Sequence, residues 1–98
     1  MIDLKSIVIE TERVIGLQIK LPFTLLIFVF NTKGFLCGNQ LSIEAFKHNR
    51  ASICIMSKSS TYEECLNSEV KAMNQSAIDK GIEIGMKGKK ALMLMYEN

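Results

Sequence analysis

The sequence predicts an α+β domain, in which an N-terminal antiparallel β-sheet carries two to four packed helices. The first observation is that the β-branched and aromatic residues of the segment 1–38 come in short runs separated by turn-like breaks, as in strands. The second is the pair Thr61 and Glu64, whose spacing is that of a capping box at the start of a helix. The 98-residue chain has the length of one domain, with a β-rich part at 1–38 and a mixed α/β part at 39–98.

Three strands are predicted in the β-rich part, at 7–9, 14–21 and 25–30. Apolar and polar side chains alternate along 14–21, as they do in a strand with one buried face. The run 25–30, LLIFVF, has no polar face, which is typical of a strand that is covered on both sides.

The absence of a polar face in the run 25–30 indicates that the chain assembles with a partner. A chain of 98 residues provides enough helix to cover one side of a small sheet, so the other side needs a partner. Leaving one phenylalanine of the run in water would forgo about 1.5–3 kcal/mol. We therefore expect a homo-oligomer that forms through the N-terminal sheet, with Leu26, Phe28 and Phe30 at the interface.

The middle of the chain contains turn and strand signals. Asn31–Gly34 predicts a tight turn, and 34–38 predicts the returning strand of a hairpin. Ser42 opens a short helix that ends near His48, and 51–56 is a further strand.

Three helices are predicted in the last third. The first follows the capping box and covers 62–66, the second covers 70–79, and the last covers 91–96. Gly81 is placed to end the second helix in the left-handed conformation. The segment 82–84 alternates apolar and acidic residues and is predicted to be extended.

Composition restricts the classes of partner and cofactor. With 12 basic and 10 acidic residues the net charge is +2, too small to indicate a membrane or nucleic-acid partner. The longest uncharged run, which contains 21–31 and ends before Lys33, is shorter than the about 20 residues that span a bilayer. Cys37, Cys54 and Cys65 are odd in number, which favours the reducing cytoplasm. One histidine and three scattered cysteines give no paired ligand spacing, so we expect no metal and no cofactor.

Four segments are similar to a known family. They are GFLCG at 34–38, SIEAF at 42–46, TYEECLNSEV at 61–70 and GIEIGMKGKKAL at 81–92. With these segments the chain resembles the YunC-like family, a bacterial and archaeal domain of unknown function. The resemblance implies assembly through a β-rich N-terminal region. It assigns no particular activity, because the function of the family is unknown. The loop 57–60 departs from the family pattern, which has a glycine-valine pair before the threonine.

The glycine-rich segment before the last helix is a candidate ligand site. It lacks the spacing of a phosphate loop and of a dinucleotide fingerprint. Lysines near the start of a helix are electrostatically disfavoured there, and an anion would relieve this cost. The candidate anion- or ligand-binding residues are Gly85, Lys87, Gly88, Lys89, Lys90 and Asn39. A plain turn with solvated lysines, and an RNA-binding GXXG loop at 85–88, are the alternatives.

Cys37 is the candidate nucleophile of an alternative function, a small cysteine-dependent enzyme. It lies at the end of a predicted strand, and catalysis would need a base that generates its thiolate. His48 is the single histidine of the chain. A packed core cysteine explains the same residue, so whether the protein is an enzyme stays open.

Overall fold

The computed structural model describes residues 2–9, 12–38, 43–46 and 50–96, which form a six-stranded sheet and the helices that pack on it. The elements in chain order are β1 (Ile2–Ile9), β2 (Glu12–Leu21), β3 (Thr24–Phe30), β4 (Gly34–Cys37), a 3₁₀-helix (Ile43–Phe46), β5 (Ser52–Met56), α1 (Tyr62–Asn67), β6 (Val70–Met73), α2 (Gln75–Asp79) and α3 (Gly88–Tyr96). The predicted α+β class is confirmed.

The strands lie in the sheet in the same order as in the chain, from β1 to β6. All neighbours are antiparallel except β4 and β5, which are parallel. Parallel neighbours need a crossover connection, and the 3₁₀-helix lies within it. The N-terminal sheet of β1 to β4 is thus antiparallel, as predicted, and the parallel pair makes the complete sheet mixed.

The predicted turn between β3 and β4 is present. Asn31 Oδ1 accepts hydrogen bonds from the backbone N–H of Lys33 at 2.8 Å and of Gly34 at 3.0 Å. This is the local side-chain bonding by which asparagine stabilises turns. Gly34 is required because a Cβ atom there would lie 1.9 Å from the carbonyl oxygen of Ser52 on β5.

The main core lies between the sheet and the layer of α1 and α3. Helix α1 contacts β3, while α3 contacts β4, β5 and α1. Leu25, Ile27 and Val29 face this layer from β3, and Leu92 is fully buried on α3. Tyr62 of α1 lies so close above Gly16 that a Cβ atom there would be 2.7 Å from its ring. These contacts place both helices on one side of the sheet.

The predicted N-cap of α1 at Thr61 is confirmed, and the return bond from Glu64 reaches Ser60 instead of the N-cap residue. The backbone N–H of Glu64 donates to Thr61 Oγ1 at 3.0 Å, and Glu64 Oε1 accepts from the backbone N–H of Ser60 at 2.9 Å. This bond to Ser60 is the main reason that the pKa of Glu64 lies below its usual value. Gly81 has a φ of 88°, so it ends α2 in the left-handed region as predicted.

The prediction of one helix over 70–79 is wrong. Val70–Met73 is strand β6, which pairs with β5, and Asn74 then begins the five-residue helix α2. Asn74 Oδ1 accepts hydrogen bonds from the backbone N–H of Ile53 on β5 and of Ala77 in α2. The apolar spacing of Val70, Met73 and Ala77 suits a helix, but pairing with a distant strand decides the conformation of the first four residues.

Two further boundaries differ from the predictions. The segment 82–84 contains no strand, and α3 begins at Gly88, three residues before the predicted start. The described 3₁₀-helix ends at Phe46, and Ser42 and His48 lie outside the described residues. In the described part of the chain, no helix is long and apolar enough to cross a membrane.

Candidate functional site

One face of the N-terminal strands carries an almost continuous apolar surface. Residues opposite each other in an antiparallel pair share a face, so the registers of β1, β2 and β3 define this surface. We call it the open face. Its ten apolar residues are Ile2, Leu4, Val8, Ile15, Leu17, Ile19, Leu21, Leu26, Phe28 and Phe30. Its polar residues are Ser6, Arg13 and Thr24.

The open face is far more exposed than the other side of the same strands. Ile2, Leu4 and Val8 are 67%, 65% and 62% exposed, respectively. On β3, by contrast, Ile27 and Val29 face the helices and are fully buried. Contiguous apolar patches of this kind on a protein surface mark interaction sites.

The three predicted interface residues all lie on the open face, where each is half-buried. The ring of Phe28 packs edge-on against that of Phe35, with centroids 5.8 Å apart and an interplanar angle of 76°. Both rings border a second buried cluster, which contains Cys37, Ile53 and Ile55. The open face therefore continues into a packed cluster at β4 and β5.

Cys37 is a member of that cluster and not an exposed nucleophile. It is 1% exposed, and its thiol donates a long hydrogen bond of 3.8 Å to the carbonyl oxygen of Cys54. Burial raises the pKa of Cys37 to about 12, and burial likewise raises the pKa of Cys54 and of Cys65 to about 12. A catalytic thiol needs the opposite shift. His48, the base considered for it, lies outside the described residues.

The glycine-rich segment covers the outer edge of β6. The backbone N–H of Gly85 donates to the carbonyl of Val70, and the N–H of Val70 donates to the carbonyl of Met86. The N–H of Gly88 donates to the carbonyl of Ser68 at 3.1 Å. The backbone N–H groups of Gly85 and Gly88, two members of the candidate anion site, are thus already bonded within the chain. Gly85 has a φ of 90°, which explains a glycine at this turn.

The remaining members of the predicted anion site are only partly brought together. Lys87, Lys89 and Lys90 are exposed at the start of α3, and Asn39 lies outside the described residues. Lys87 additionally pairs with Glu69 through an isolated β-bridge. An anion could therefore contact the lysine side chains more readily than the backbone of the turn.

A polar cleft next to Lys87 was not predicted from the sequence. It has a volume of about 370 Å³ and is lined by Ser57, Lys58, Glu64, Asn67, Ser68, Glu69 and Lys87. Hydrogen bonds hold the loop that forms one wall: Ser68 Oγ donates to the carbonyl of Lys58, the N–H of Glu69 donates to Ser57 Oγ, and the N–H of Ser57 donates to the carbonyl of Glu69. The one sequence signal was that the loop 57–60 departs from the family pattern.

Comparison with known proteins places the chain in a family. Residues 37–95 match the family described as Domain of unknown function (DUF1805). The chain belongs to the DUF1805 family. It is 26% identical to the "Uncharacterized protein YunC" of Bacillus subtilis, over 99% of this chain and 100% of that protein. The resemblance to YunC-like proteins is thereby confirmed.

The fold of the DUF1805 chain is also that of a solved structure. The crystal structure of a protein of unknown function, TA1206 from Thermoplasma acidophilum, superposes with a TM-score of 0.88 at 20% sequence identity. The match covers 97% of this chain and 93% of that chain. The N-terminal sheet thus belongs to the shared fold, although the family match begins only at residue 37.

Among the described residues, no group of three or more His, Cys, Asp or Glu side chains could hold a metal ion. The features that remain are the open face and the polar cleft.

Proposed function

We propose that this DUF1805 protein is a homo-oligomeric scaffold or small-ligand-binding module whose subunits meet through the open face. The observation that carries the proposal is the open face itself, with ten apolar side chains on three neighbouring strands. A second copy presents the same surface, so two open faces can stack as the sheets of a sandwich do, about 10 Å apart.

The extent of the apolar surface supports this assembly. It lies on three neighbouring strands of eight, ten and seven residues. Each partner in a typical stable interface buries roughly 800 Å², and permanent interfaces are the more apolar ones. Burial at about 25 cal/mol per Å² favours association, and it must exceed the entropy lost on binding.

Sedimentation of charged variants tests the proposal. Phe30 and Ile15 are opposite each other on the open face, so Phe30→Asp and Ile15→Asp should each reduce the oligomeric mass. Ile84→Asp is the matched control, because Ile84 is 60% exposed but lies in the segment after α2, away from the open face. Circular dichroism checks that each variant folds. A wild-type protein that sediments at 11.0 kDa would contradict the proposal.

The polar cleft favours small-ligand binding as the second part of this function. Lys58 and Lys87 line it together with Glu64 and Glu69, so the lining carries both charges, and a ligand with an anionic group would bind at the two lysines. Inorganic phosphate is the probe: at about a hundred times its Kd it should stabilise the fold by ~2.7 kcal/mol.

Thermal unfolding at constant ionic strength measures this stabilisation. Lys87→Gln should reduce the phosphate-dependent shift in Tm, whereas Lys33→Gln, at the exposed β3–β4 turn, should leave it unchanged. If phosphate does not raise the Tm of the wild type, then the cleft does not bind simple anions. Equal shifts in both variants would place the anion elsewhere.

The cysteine-dependent enzyme is the less favoured function. Cys37 is buried, and its raised pKa keeps the thiol protonated at neutral pH. The three free thiols agree with a reducing compartment, and we place the protein in the cytoplasm as part of this proposal.

A further inference from the structure

The two edge strands of the sheet, β6 and β1, differ in how far their outer backbone groups are covered. At one edge, the segment 85–87 hydrogen-bonds to Val70 and covers β6. At the other edge, β1 has β2 as its only neighbour in the described sheet, and seven of its eight residues are exposed or half-buried. A long uncovered edge strand offers unpaired backbone groups to another chain.

Hydrogen-bonded and non-hydrogen-bonded residue pairs alternate along antiparallel strands, and this alternation shows which backbone groups of β1 point away from β2. Leu21 and Thr24 face each other across a two-residue turn, so they form a hydrogen-bonded pair, and such pairs alternate along β2. By this alternation Gly16 bonds to its β1 partner Lys5 and not to β3. The backbone N–H and C=O of Ser6, the next residue, therefore point away from the sheet.

A groove lies on each side of this edge. On the helix side, a groove of about 480 Å³ is lined by β1 and by Tyr62, Glu63 and Leu66 of α1. On the open face, a groove of about 380 Å³ is lined mainly by apolar atoms of Leu4, Ser6, Arg13 and Ile15 together with Lys5. An added strand binds through backbone bonds to the edge, while its alternate side chains enter pockets on the two faces.

We propose that β1 of one subunit pairs antiparallel with β1 of a second copy, so that two six-stranded sheets become one. The charges of β1 select the register. With Leu4 opposite Leu4 of the partner subunit, Asp3 lies opposite Lys5 of the partner subunit, and the two-fold axis repeats this pair. A shift by two residues would instead place Lys5 opposite Lys5 of the partner subunit.

The selected register also fills the apolar groove. Ile2 of the partner subunit then lies opposite Ser6, next to the groove lined by Leu4 and Ile15. Its apolar side chain suits that groove, whereas the opposed charges of Asp3 and Lys5 lie on the helix side. Both faces of the new strand pair are therefore complementary.

This edge contact rests on the proposed homo-oligomer and extends it. Antiparallel pairing in one register keeps the helices of both subunits on the same side and joins their open faces into one larger surface. Two such pairs can then stack through their open faces, which gives four subunits with two kinds of interface. The edge and the face can be broken separately.

Sedimentation of four variants beside the wild type distinguishes the two interfaces. Ser6→Pro removes the outward N–H and should halve the mass of the wild type, while Ser6→Ala should leave it unchanged. Phe30→Asp should also halve the mass, and the double variant should sediment as single chains of 11.0 kDa. If Ser6→Pro keeps the full mass while Phe30→Asp reduces it, the edge proposal is wrong and the face stands. If Phe30→Asp keeps the full mass while Ser6→Pro reduces it, the face proposal is wrong and the edge proposal stands.

Charge reversal tests the register without a proline. Asp3→Lys and Lys5→Asp each place like charges opposite one another, so each should weaken the edge contact about tenfold when measured in the Phe30→Asp background. The double reversal restores opposite charges and should recover the affinity. Unchanged affinity in both single variants, or no recovery in the double variant, would overturn the proposed register.

Discussion

The thiol of Cys37 lies in the cluster beneath Phe28 and Phe35, away from water. A thiol alkylates through its thiolate, and at neutral pH a group with a pKa of about 12 is almost entirely protonated. The same residue at the end of an exposed strand would have an ordinary pKa. Burial by the neighbouring strands thus decides its reactivity, and the local sequence does not.

We expect slow alkylation of Cys37 by iodoacetamide at neutral pH. The rate should be well below that of a cysteine in an unstructured peptide, because both burial and the raised pKa suppress the thiolate. Mass spectrometry assigns the label to each cysteine, and labelling in urea provides the rate of the exposed thiol. Labelling of the folded protein faster than in urea would restore the enzyme hypothesis.

Gly34 and Gly81 require glycine for different reasons, a close backbone contact at Gly34 and a positive φ at Gly81. At Gly34 a Cβ atom would lie 1.9 Å from the carbonyl oxygen of Ser52, a backbone atom held in the parallel pair of β4 and β5. Gly34→Ala should therefore destabilise the fold by about 3 kcal/mol or more. Gly81 has a φ of 88° and open space around it, so Gly81→Ala should cost only about 1 kcal/mol.

Urea unfolding of the two glycine variants measures this difference. Equal losses in both would mean that β5 moves to accommodate the new methyl group at position 34. A larger loss for Gly81→Ala would contradict the close approach of the two strands.

At the scale of single elements, the two N-cap side chains differ in burial. Thr61 caps α1 at the surface, and Asn74 caps α2 in the interior. The Asn74 amide does more than cap: Oδ1 also accepts from the Ile53 N–H, and Nδ2 donates to the carbonyl of Ala51 at 2.8 Å. The asparagine therefore joins α2 to β5.

Alanine at each cap should show this difference. Thr61→Ala is expected to cost about 1 kcal/mol, the usual value for an exposed cap. Asn74→Ala should cost about 3 kcal/mol, because it also leaves the buried N–H of Ile53 and C=O of Ala51 without the side chain that they bond. The free energy of unfolding in urea provides the comparison. Similar losses would show that water replaces the amide of Asn74.

Strand β6 is the element that the sequence did not predict. Val70–Met73 has the apolar spacing of a helix, and a helix over 70–79 was the natural interpretation of that pattern. Pairing with β5 on one edge and coverage by 85–87 on the other hold these four residues extended. Both contacts come from segments distant in sequence, so no local pattern could reveal them.

At the scale of the whole molecule, the proposed assembly links stability to concentration. Association binds the folded subunit and not the unfolded chain, so Tm should rise as the protein concentration rises over about a hundredfold range. Phe30→Asp should reduce this dependence, and Ile84→Asp should not. Differential scanning fluorimetry at several concentrations suffices. A Tm that is independent of concentration in the wild type would contradict the homo-oligomer.

The candidate interface was predictable only in part. The unbroken apolar run of β3 indicated Leu26, Phe28 and Phe30, because a strand without a polar side needs cover on both faces. The contribution of β1 was missed, since Asp3, Lys5 and Ser6 interrupt its apolar residues and only 7–9 was predicted as a strand. Pairing with β2 then places its apolar residues on the same face.

The sequence by itself determined the features that depend on neighbouring residues: the alternation of β2, the turn at Asn31, the N-cap at Thr61 and the helix end at Gly81. Each follows from a side chain or backbone preference acting within four residues. The tertiary structure alone decided that β4 and β5 run parallel, that β6 is a strand, and that, among the described residues, one sheet edge is covered while β1 pairs only with β2. These are pairings between distant segments, whose backbone bonds and shared burial outweigh the small local preferences of the residues involved.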